Sequence, residues 1–401
     1  MSQKPLKKYR IIDLTNVLSG PFCTHLLANM GAEVIKVEIP GSGDLARQLG
    51  ADPELNEKGM GVSFLAQNAG KRSVTINLKS LVGKELFKRL IETADILVEN
   101  FRPGVMARLG LGFEDLKLIN SSLVYCAISG YGSTGPLKYQ PAYDQIIQGM
   151  SGAMSITGDT NSTPLRVGYP IADTLGGMTA AFAITSALAG RNKSDDEAVF
   201  IDVSMLSCML SSMGWVVSNY LIAGKIPEAM GNDNFTASPS GTFQTGSGQL
   251  NIAANKQEQF ENLCKVINRS DLINDPRFRD RTSRLHNRKE LTLELEKTLC
   301  EESACFWQEK LSTAGVPAGL VLTVPEILNH EHLKTRGMVG HYDDVPGVGA
   351  VDIFRPGFRV NGLTPQVESP PPTLGQHTDD VLSELGLTNA EIASLREDKV
   401  I

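Results

Sequence analysis

The chain has no Cys-x-x-Cys pair, no three-glycine dinucleotide fingerprint, no Gly-Lys-Ser/Thr phosphate loop and no long apolar run. Each gap removes a class of function. Six cysteines (Cys23, Cys126, Cys208, Cys264, Cys300 and Cys305) are scattered, and the closest two, Cys300 and Cys305, lack histidines at metal-ligand spacing. They read as free, buried thiols in a reducing compartment. His330 and His332 are two residues apart, which on a helix sends them to different faces. No metal site is expected. The loop after the first strand, residues 15–21, holds one glycine and a proline. A nicotinamide pyrophosphate needs three glycines there, so a hydride enzyme is disfavoured although Glu38 could mimic the ribose-binding acid. The longest small-apolar run, residues 178–189, is too short and too rich in Ala and Thr to span a bilayer. The Lys-rich start, residues 1–10, has no apolar signal core, so a cytoplasmic protein is expected.

What is present points to an enzyme. A chain of 401 residues exceeds one compact core, so two domains are expected. Its 41% hydrophobic and 21% charged content is ordinary for a globular enzyme. The net charge of −7 argues against general nucleic-acid binding but leaves room for a local basic patch. Residues 10–14, 32–38, 73–78, 94–100 and 123–132 read as strands, and residues 21–30 and 81–93 as helices between them. This alternation predicts a doubly wound parallel sheet. A helical region follows at 203–223 and a polar boundary at 224–241. A smaller α/β unit spans 242–319, with strands at 242–245 and 249–254. From residue 324 the chain reads as loop-rich until a final helix at 379–387.

Asp173 stands out, a lone acid between residues 168–172 and a long small-residue helix closed by Gly190. It has two readings. As an N-cap, its carboxylate would accept N–H bonds from the first helical turn. As a nucleophile, it would be kept ionised by the helix N-terminus and made approachable by Gly176 and Gly177. Basic and amide residues gather at predicted strand ends: Lys71, Arg72, Lys79, Asn100, Arg102 and Arg108. Beyond the carboxyl ends of a parallel sheet they suit a multiply phosphorylated ligand, or are plain surface charge. The tip at residues 98–104, with Phe101 and Arg102 stiffened by Pro103-Gly104, resembles a ligand edge. The glycine-rich stretch 129–136 reads either as a close-approach loop or as a turn. His25, inside an apolar helix, reads as a core residue.

Seven segments in order carry a family likeness: residues 13–21, 31–38, 68–73, 98–104, 130–136 (Gly-Tyr-Gly then Gly-Pro), the Asp173 segment and Leu374-Gly375-Gln376-His377-Thr378. Together they resemble the class III CoA-transferases of the formyl-CoA/carnitine type, over nearly the whole chain. The resemblance implies an α/β fold with a Rossmann-like large domain and a smaller α/β domain. It also implies an open-ring chain that forms an interlocked homodimer. The implied division is a large CoA-binding domain at 1–200, a linker helix at 201–225 and a small domain at 226–325. A linker and C-terminal return to the large domain fill 326–401.

By the same likeness Asp173 falls on the family's nucleophile. The implied chemistry is attack on an acyl-CoA thioester, a mixed anhydride, then an aspartyl-CoA thioester that an acceptor carboxylate reopens. Coenzyme A thioester is then a substrate, and no permanently bound cofactor is implied. Val17 and Leu18 would lie near the thioester, and Ile76, Asn77, Leu78 and Lys79 near the nucleotide. Asn100, Phe101, Arg102 and Arg108 would line the CoA site, with Tyr143 by the pantetheine arm. Oxyanion donors would come from a small-domain loop. Relatives that racemise 2-methylacyl-CoA carry a His before an Asp; here Tyr143-Asp144 stands there, and a phenol is a poor base near neutrality. That places a racemase behind a transferase, and Asp173 with Gly176 and Gly177 places a non-catalytic CoA-binding protein behind it as well. The consecutive glycines of the formyl-CoA:oxalate enzymes are missing from residues 231–241. The text looks closer to the succinyl-CoA:dicarboxylate branch, such as glutarate enzymes, with partners limited to acyl-CoA, a small acid and a second copy.

Overall fold

The computed structural model describes residues 4–191 and 197–401; the first three residues of the Lys-rich start lie outside the described residues. The chain divides into two compact units. One holds Met1–Ala153, Arg166–Lys225 and Glu331–Ile401, the other Met154–Leu165 and Ile226–His330. Residues 154–165, expected in the large domain, thus pack with the smaller unit.

The larger unit is built on six strands: β1 (Arg10–Leu14), β2 (Glu33–Glu38), β3 (Lys71–Thr75), β4 (Ile96–Glu99), β5 (Val124–Ser129) and β6 (Val199–Ser204). All pair in parallel, in the order β3-β2-β1-β4-β5-β6. Parallel strands need both faces covered, which is why they read as near-continuous apolar runs. Ile11 faces one core with Cys23, Leu27, Val34 and Ile184. Its neighbour Ile12 faces the other with Ile35, Phe87, Leu97 and Leu382. Helices α1 (Ser19–Asn29), α3 (Asp144–Met150) and α4 (Ile171–Gly190) contribute to the first core, and α2 (Leu81–Glu92) to the second. Strand order reverses between β1 and β4, whose register ends at Leu14↔Glu99. The loops leaving those two strands therefore flank a crevice at the carboxyl edge, where open α/β sheets take ligands.

Several elements differ from expectation. The third strand is Lys71–Thr75, not 73–78. The region 203–223 begins as β6 and splits into α5 (Met205–Ser212) and α6 (Trp215–Ala223) around Gly214 at φ +47°. Helix α4 runs for 20 residues with a hydropathy of 1.3, so by length and composition it could cross a membrane, unlike the 178–189 run alone. Its Ala172, Ala180, Ile184 and Leu188 are nevertheless buried in the core of the sheet. Four cysteines are buried as expected, but Cys300 and Cys305 are exposed.

The smaller unit has an antiparallel sheet of β7 (Ser240–Gln244), β8 (Gln249–Ala253) and β9 (Ala318–Leu320). Phe243, Leu250 and Ile252 meet the apolar sides of α7 (Gln257–Val266), α8 (Arg288–Leu299) and α9 (Ala304–Thr313). The chain then returns to the larger unit through the hairpin β10 (Val339–Val345) and β11 (Gly349–Phe354), where only loop was expected. Polar residues in both strands, such as Asp343, Asp344 and Asp352, hide the hairpin's period.

The end of the chain closes the edge strand. Ser73 N–H donates to His377 Nδ1 at 3.1 Å, and His377 N–H to the Ser73 carbonyl at 2.9 Å. Thr75 N–H donates to Thr378 Oγ1 at 3.1 Å. Helices α10 (Thr378–Glu384) and α11 (Asn389–Glu397) then bury Val381, Leu382 and Ile392. An open strand edge is thereby satisfied by the Leu374–Thr378 motif. Thr378→Val keeps the shape but leaves the buried Thr75 N–H without an acceptor. It is expected to cost about 1–3 kcal/mol, read as a lower urea midpoint with an unchanged m-value.

Candidate active site

Two helices begin side by side at the carboxyl edge of the sheet. A Cβ on Gly177 of α4 would sit 2.5 Å from the Ser19 carbonyl oxygen at the start of α1. A Cβ on Gly176 would sit 2.9 Å from Met205 Cγ. These glycines thus allow close helix packing; they do not open space around Asp173, as first expected. Asp173 lies one turn before Gly177 on the same face of α4, toward the loop that precedes α1.

The cap reading of Asp173 also fails. Pro170 occupies the N-cap, and Asp173 sits inside the first turn. The carboxylate that serves this helix end is Asp144, from α3: Oδ1 accepts the Ala172 N–H at 2.8 Å and the Asp173 N–H at 3.4 Å. Asp144 Oδ2 accepts Gln148 Nε2 at 2.7 Å, and Gln148 Oε1 accepts the Val167 N–H at 2.8 Å. One turn of α3 therefore grips the segment leading into α4. The sequence flagged Tyr143 and passed over this pair, though Asp and Gln four residues apart on a short helix was a signal.

The Asp173 carboxylate itself has no hydrogen-bond or ion-pair partner among the described residues. Burial, then the neighbouring Asp144 charge, pushes its pKa up to about 7. It is thus not held fully ionised by the helix end; it titrates near neutrality. A half-buried, unpartnered carboxylate is costly for a fold and useful as a nucleophile.

The β1–α1 loop, which leads into Ser19, is tied residue by residue. Asn16 N–H donates to Asn100 Oδ1, and Asn100 Nδ2 to the Asn16 carbonyl, both at 2.8 Å. Val17 N–H donates to Asp44 Oδ1 at 2.9 Å. Val17 is at φ +66°, a left-handed conformation that costs a β-branched residue roughly 1–3 kcal/mol. Leu18 follows as the N-cap of α1 without a side-chain cap.

Below the loop lies a buried ion-pair network. Lys36 Nζ is 2.9 Å from Asp44 Oδ2 and donates to the Thr15 carbonyl at 2.8 Å. Lys71 Nζ pairs with Asp13 at 2.9 Å and also donates to Thr24 Oγ1 and the Pro21 carbonyl. Against the upward push of burial, Lys36 and Lys71 hold the Asp13 carboxyl below its ordinary range. Burial lowers Lys71 to about 8, opposed by Asp13. Lys71 is therefore a core residue, not a ligand tip. Arg72 is spent on Glu33 and Glu384. Glu38 is fixed by the Arg47 fork at 2.7 and 2.8 Å and by Ser73, so it offers nothing to a ribose.

The other candidates separate by exposure. Lys79, Arg102 and Arg108 are exposed, with no side-chain ion pair among the described residues. Asn77 sits at the tip of β3, its N–H on the Val400 carbonyl and its side chain on the Lys79 N–H. Ile76 is 1% exposed and Leu78 packs on the same core, so these side chains are structural. Asn100 is a brace whose amide is spent on Asn16. Tyr143 is 70% exposed. Phe101 lines a cavity of about 350 Å³ with Phe113, Tyr125, Lys138 and Tyr139. On its floor Glu99, raised by burial to about 7, accepts the Phe101 N–H at 2.7 Å and shapes the tip. In the glycine-rich loop Asp202 takes the Ser133 N–H at 2.9 Å and Ser129 Oγ the Gly132 N–H at 3.0 Å, so these two donors are spent. His25 is buried and kept neutral, its pKa lowered by burial to about 3.

Residues 6–378 match the family described as CoA-transferase family III. Succinyl-CoA:glutarate CoA-transferase of Mus musculus is 37% identical, over 96% of this chain and 87% of its own. Acetyl-CoA:oxalate CoA-transferase of Acetobacter aceti is 39% identical, over 84% of this chain and 85% of its own. A CAIB/BAIF family protein from Brucella suis superposes with a TM-score of 0.84 at 34% identity, covering 96% of this chain and 100% of that one.

The raised Asp173 pKa has a stability consequence with a definite sign. The folded carboxyl keeps its proton until about pH 7, whereas the unfolded one releases it near pH 4. Folding is therefore penalised progressively from pH 4 upward, and fully above pH 7. Asp173→Asn is expected to stabilise by roughly 2–4 kcal/mol at pH 8 and by little at pH 4. Denaturant melts at the two pH values check this.

Proposed function

The chain belongs to CoA-transferase family III, and on that premise we propose that it moves CoA from succinyl-CoA to a small dicarboxylic acid, with Asp173 as the nucleophile. The observation that carries this is the half-buried Asp173 carboxylate, unpartnered among the described residues and raised to about 7. An oxygen of that carboxylate attacks the thioester carbonyl carbon. The C–S bond breaks, CoA leaves as thiolate, and an aspartyl–succinyl anhydride remains. The thiolate attacks the aspartyl carbonyl, succinate departs and Asp173 becomes a CoA thioester. The acceptor carboxylate attacks that thioester, the thiolate leaves again and then attacks the acceptor carbonyl. The new acyl-CoA forms and Asp173 is free. Thioesters are activated acyl groups, so positioning supplies much of the rate.

Lys79, Arg102 and Arg108 are the cations left to meet the CoA phosphates. Val17 and Leu18 offer backbone beside the thioester, and Tyr143 an exposed surface for the pantetheine arm. Asn77 and Phe101 complete the wall. The dicarboxylate assignment is supported by relatives named for glutarate, D-citramalate and mesaconate with succinyl-CoA; the oxalate relative marks the alternative acceptor. A homodimer, threaded as in the family, is supported by α6, which buries no residue although Trp215, Leu221 and Ile222 lie on it. An uncovered groove of about 1120 Å³ between Phe22, Met178, Phe354 and Phe358 supports it further. Six free thiols suit a reducing, cytoplasmic setting.

Succinyl-CoA offered with glutarate, oxalate and mesaconate, followed by mass spectrometry, tests the substrate class. Glutaryl- or mesaconyl-CoA is expected. Asp173→Ala, folded and of unchanged oligomeric state, is expected to lose transfer, and wild-type turnover would refute the nucleophile. Because the carboxylate is the reactive form, kcat/KM is expected to rise through pH 7. At pH 6 it should be about a tenth of its plateau.

A further inference from the structure

We propose that Asp44 is a positioning residue for the transfer reaction: its carboxylate holds Val17 in the left-handed conformation and so sets the β1–α1 loop against Asp173. The inference rests on the nucleophile reading above and deepens it.

Asp13 Oδ1 accepts the Thr15 N–H at 3.1 Å, and four further bonds act on the main chain of three successive loop residues. Lys36 holds the Thr15 carbonyl, Asn100 both main-chain groups of Asn16, and Asp44 the Val17 N–H. Among them, only the last acts on the strained residue. Free of that bond, a valine relaxes to negative φ, and the Val17–Leu18 peptide turns away. This peptide leads directly into α1, whose first carbonyl, Ser19, touches Gly177 one turn below Asp173. A turn of that peptide therefore changes the surface that a thioester at Asp173 would lie on.

Asp44 is itself immobile. It is 1% exposed. Oδ1 also accepts the Ala46 N–H at 2.9 Å, and Oδ2 faces Lys36 Nζ. Its own N–H donates to Glu38 Oε2 at 2.9 Å, on the carboxylate gripped by Arg47. Such anchoring exceeds what a surface loop needs, and the strain it maintains sits two residues before Ser19, where α1 meets α4 at Gly177.

A buried acid paired with lysine also looks like a stability device, so the test separates the charge from the Val17 bond. Asp44→Asn and Asp44→Ala both remove the charge, and only Asn keeps an acceptor for Val17. With succinyl-CoA and an accepted dicarboxylate, Asp44→Asn is expected to stay within about 3-fold of wild-type kcat. Asp44→Ala should fall about 10–100-fold, with KM changing less than kcat. Adding Val17→Gly to Asp44→Ala is expected to recover at least about 5-fold, because glycine adopts positive φ without strain. If a single variant fails to fold, Lys36→Met is added to both, removing the orphaned charge. Equal rates for the Asn and Ala variants, or no recovery with Val17→Gly, overturns the inference. Asp173→Ala is run alongside. If it still transfers CoA, the nucleophile reading has failed; if it is inactive while Asp44→Ala is fast, only the positioning role has.

Discussion

The buried ion pairs that tie β1, β2 and β3 to each other and to the chain around them are what the rest of the larger unit rests on. Asp13 with Lys71, Lys36 with Asp44 and Glu38 with Arg47 are all nearly or wholly excluded from solvent. Removing one partner from such a pair leaves an uncompensated charge, so the set holds together or fails together. Each pair also has a second task. Lys71 fastens the start of α1 through the Pro21 carbonyl, and Lys36 and Asp44 hold the Thr15 carbonyl and the Val17 N–H. Arg47 reaches the Pro372 carbonyl, and Ser73 links its partner Glu38 to the Gly375 N–H. The first strands, the β1–α1 loop and the end of the chain thus share one electrostatic foundation.

That foundation was the least legible part of the sequence. Lys71 and Arg72 are adjacent and look alike, yet Lys71 is buried on Asp13 while Arg72 sits in surface pairs. Nothing local separates them, because the deciding partner is 58 residues away. The sheet was legible because its strands are apolar runs set by burial on two faces. β10 and β11 were not, since their acids mask any alternation. Asp173 was singled out at the start of its helix, but the cap there belongs to Asp144, 28 residues before Ala172. Lys79, Arg102 and Arg108 remained as exposed cations without an ion pair among the described residues; Ile76 and Leu78 went to the core and Asn100 became a brace.

The division of labour between Asp144 and Asp173 explains how one helix end can host two acids. Asp144 takes the main-chain donors of the first turn, which leaves Asp173 without the bonds that would stabilise its charge. Its free energy is raised by the same arrangement that orders the helix. A carboxylate left without partners needs neighbours that are fully satisfied, and Gln148 completes that condition for Asp144.

The seal on β3 bears on how the protein is made. Ser73 and His377 are 304 residues apart in the chain. At about 5–20 residues per second, a ribosome needs roughly 15–60 s to deliver the second after the first. During that interval the smaller unit has emerged whole, whereas the parallel sheet still presents an unsealed strand. Vectorial synthesis therefore leaves the edge strand β3 without its last hydrogen-bond partners until residue 378 has emerged.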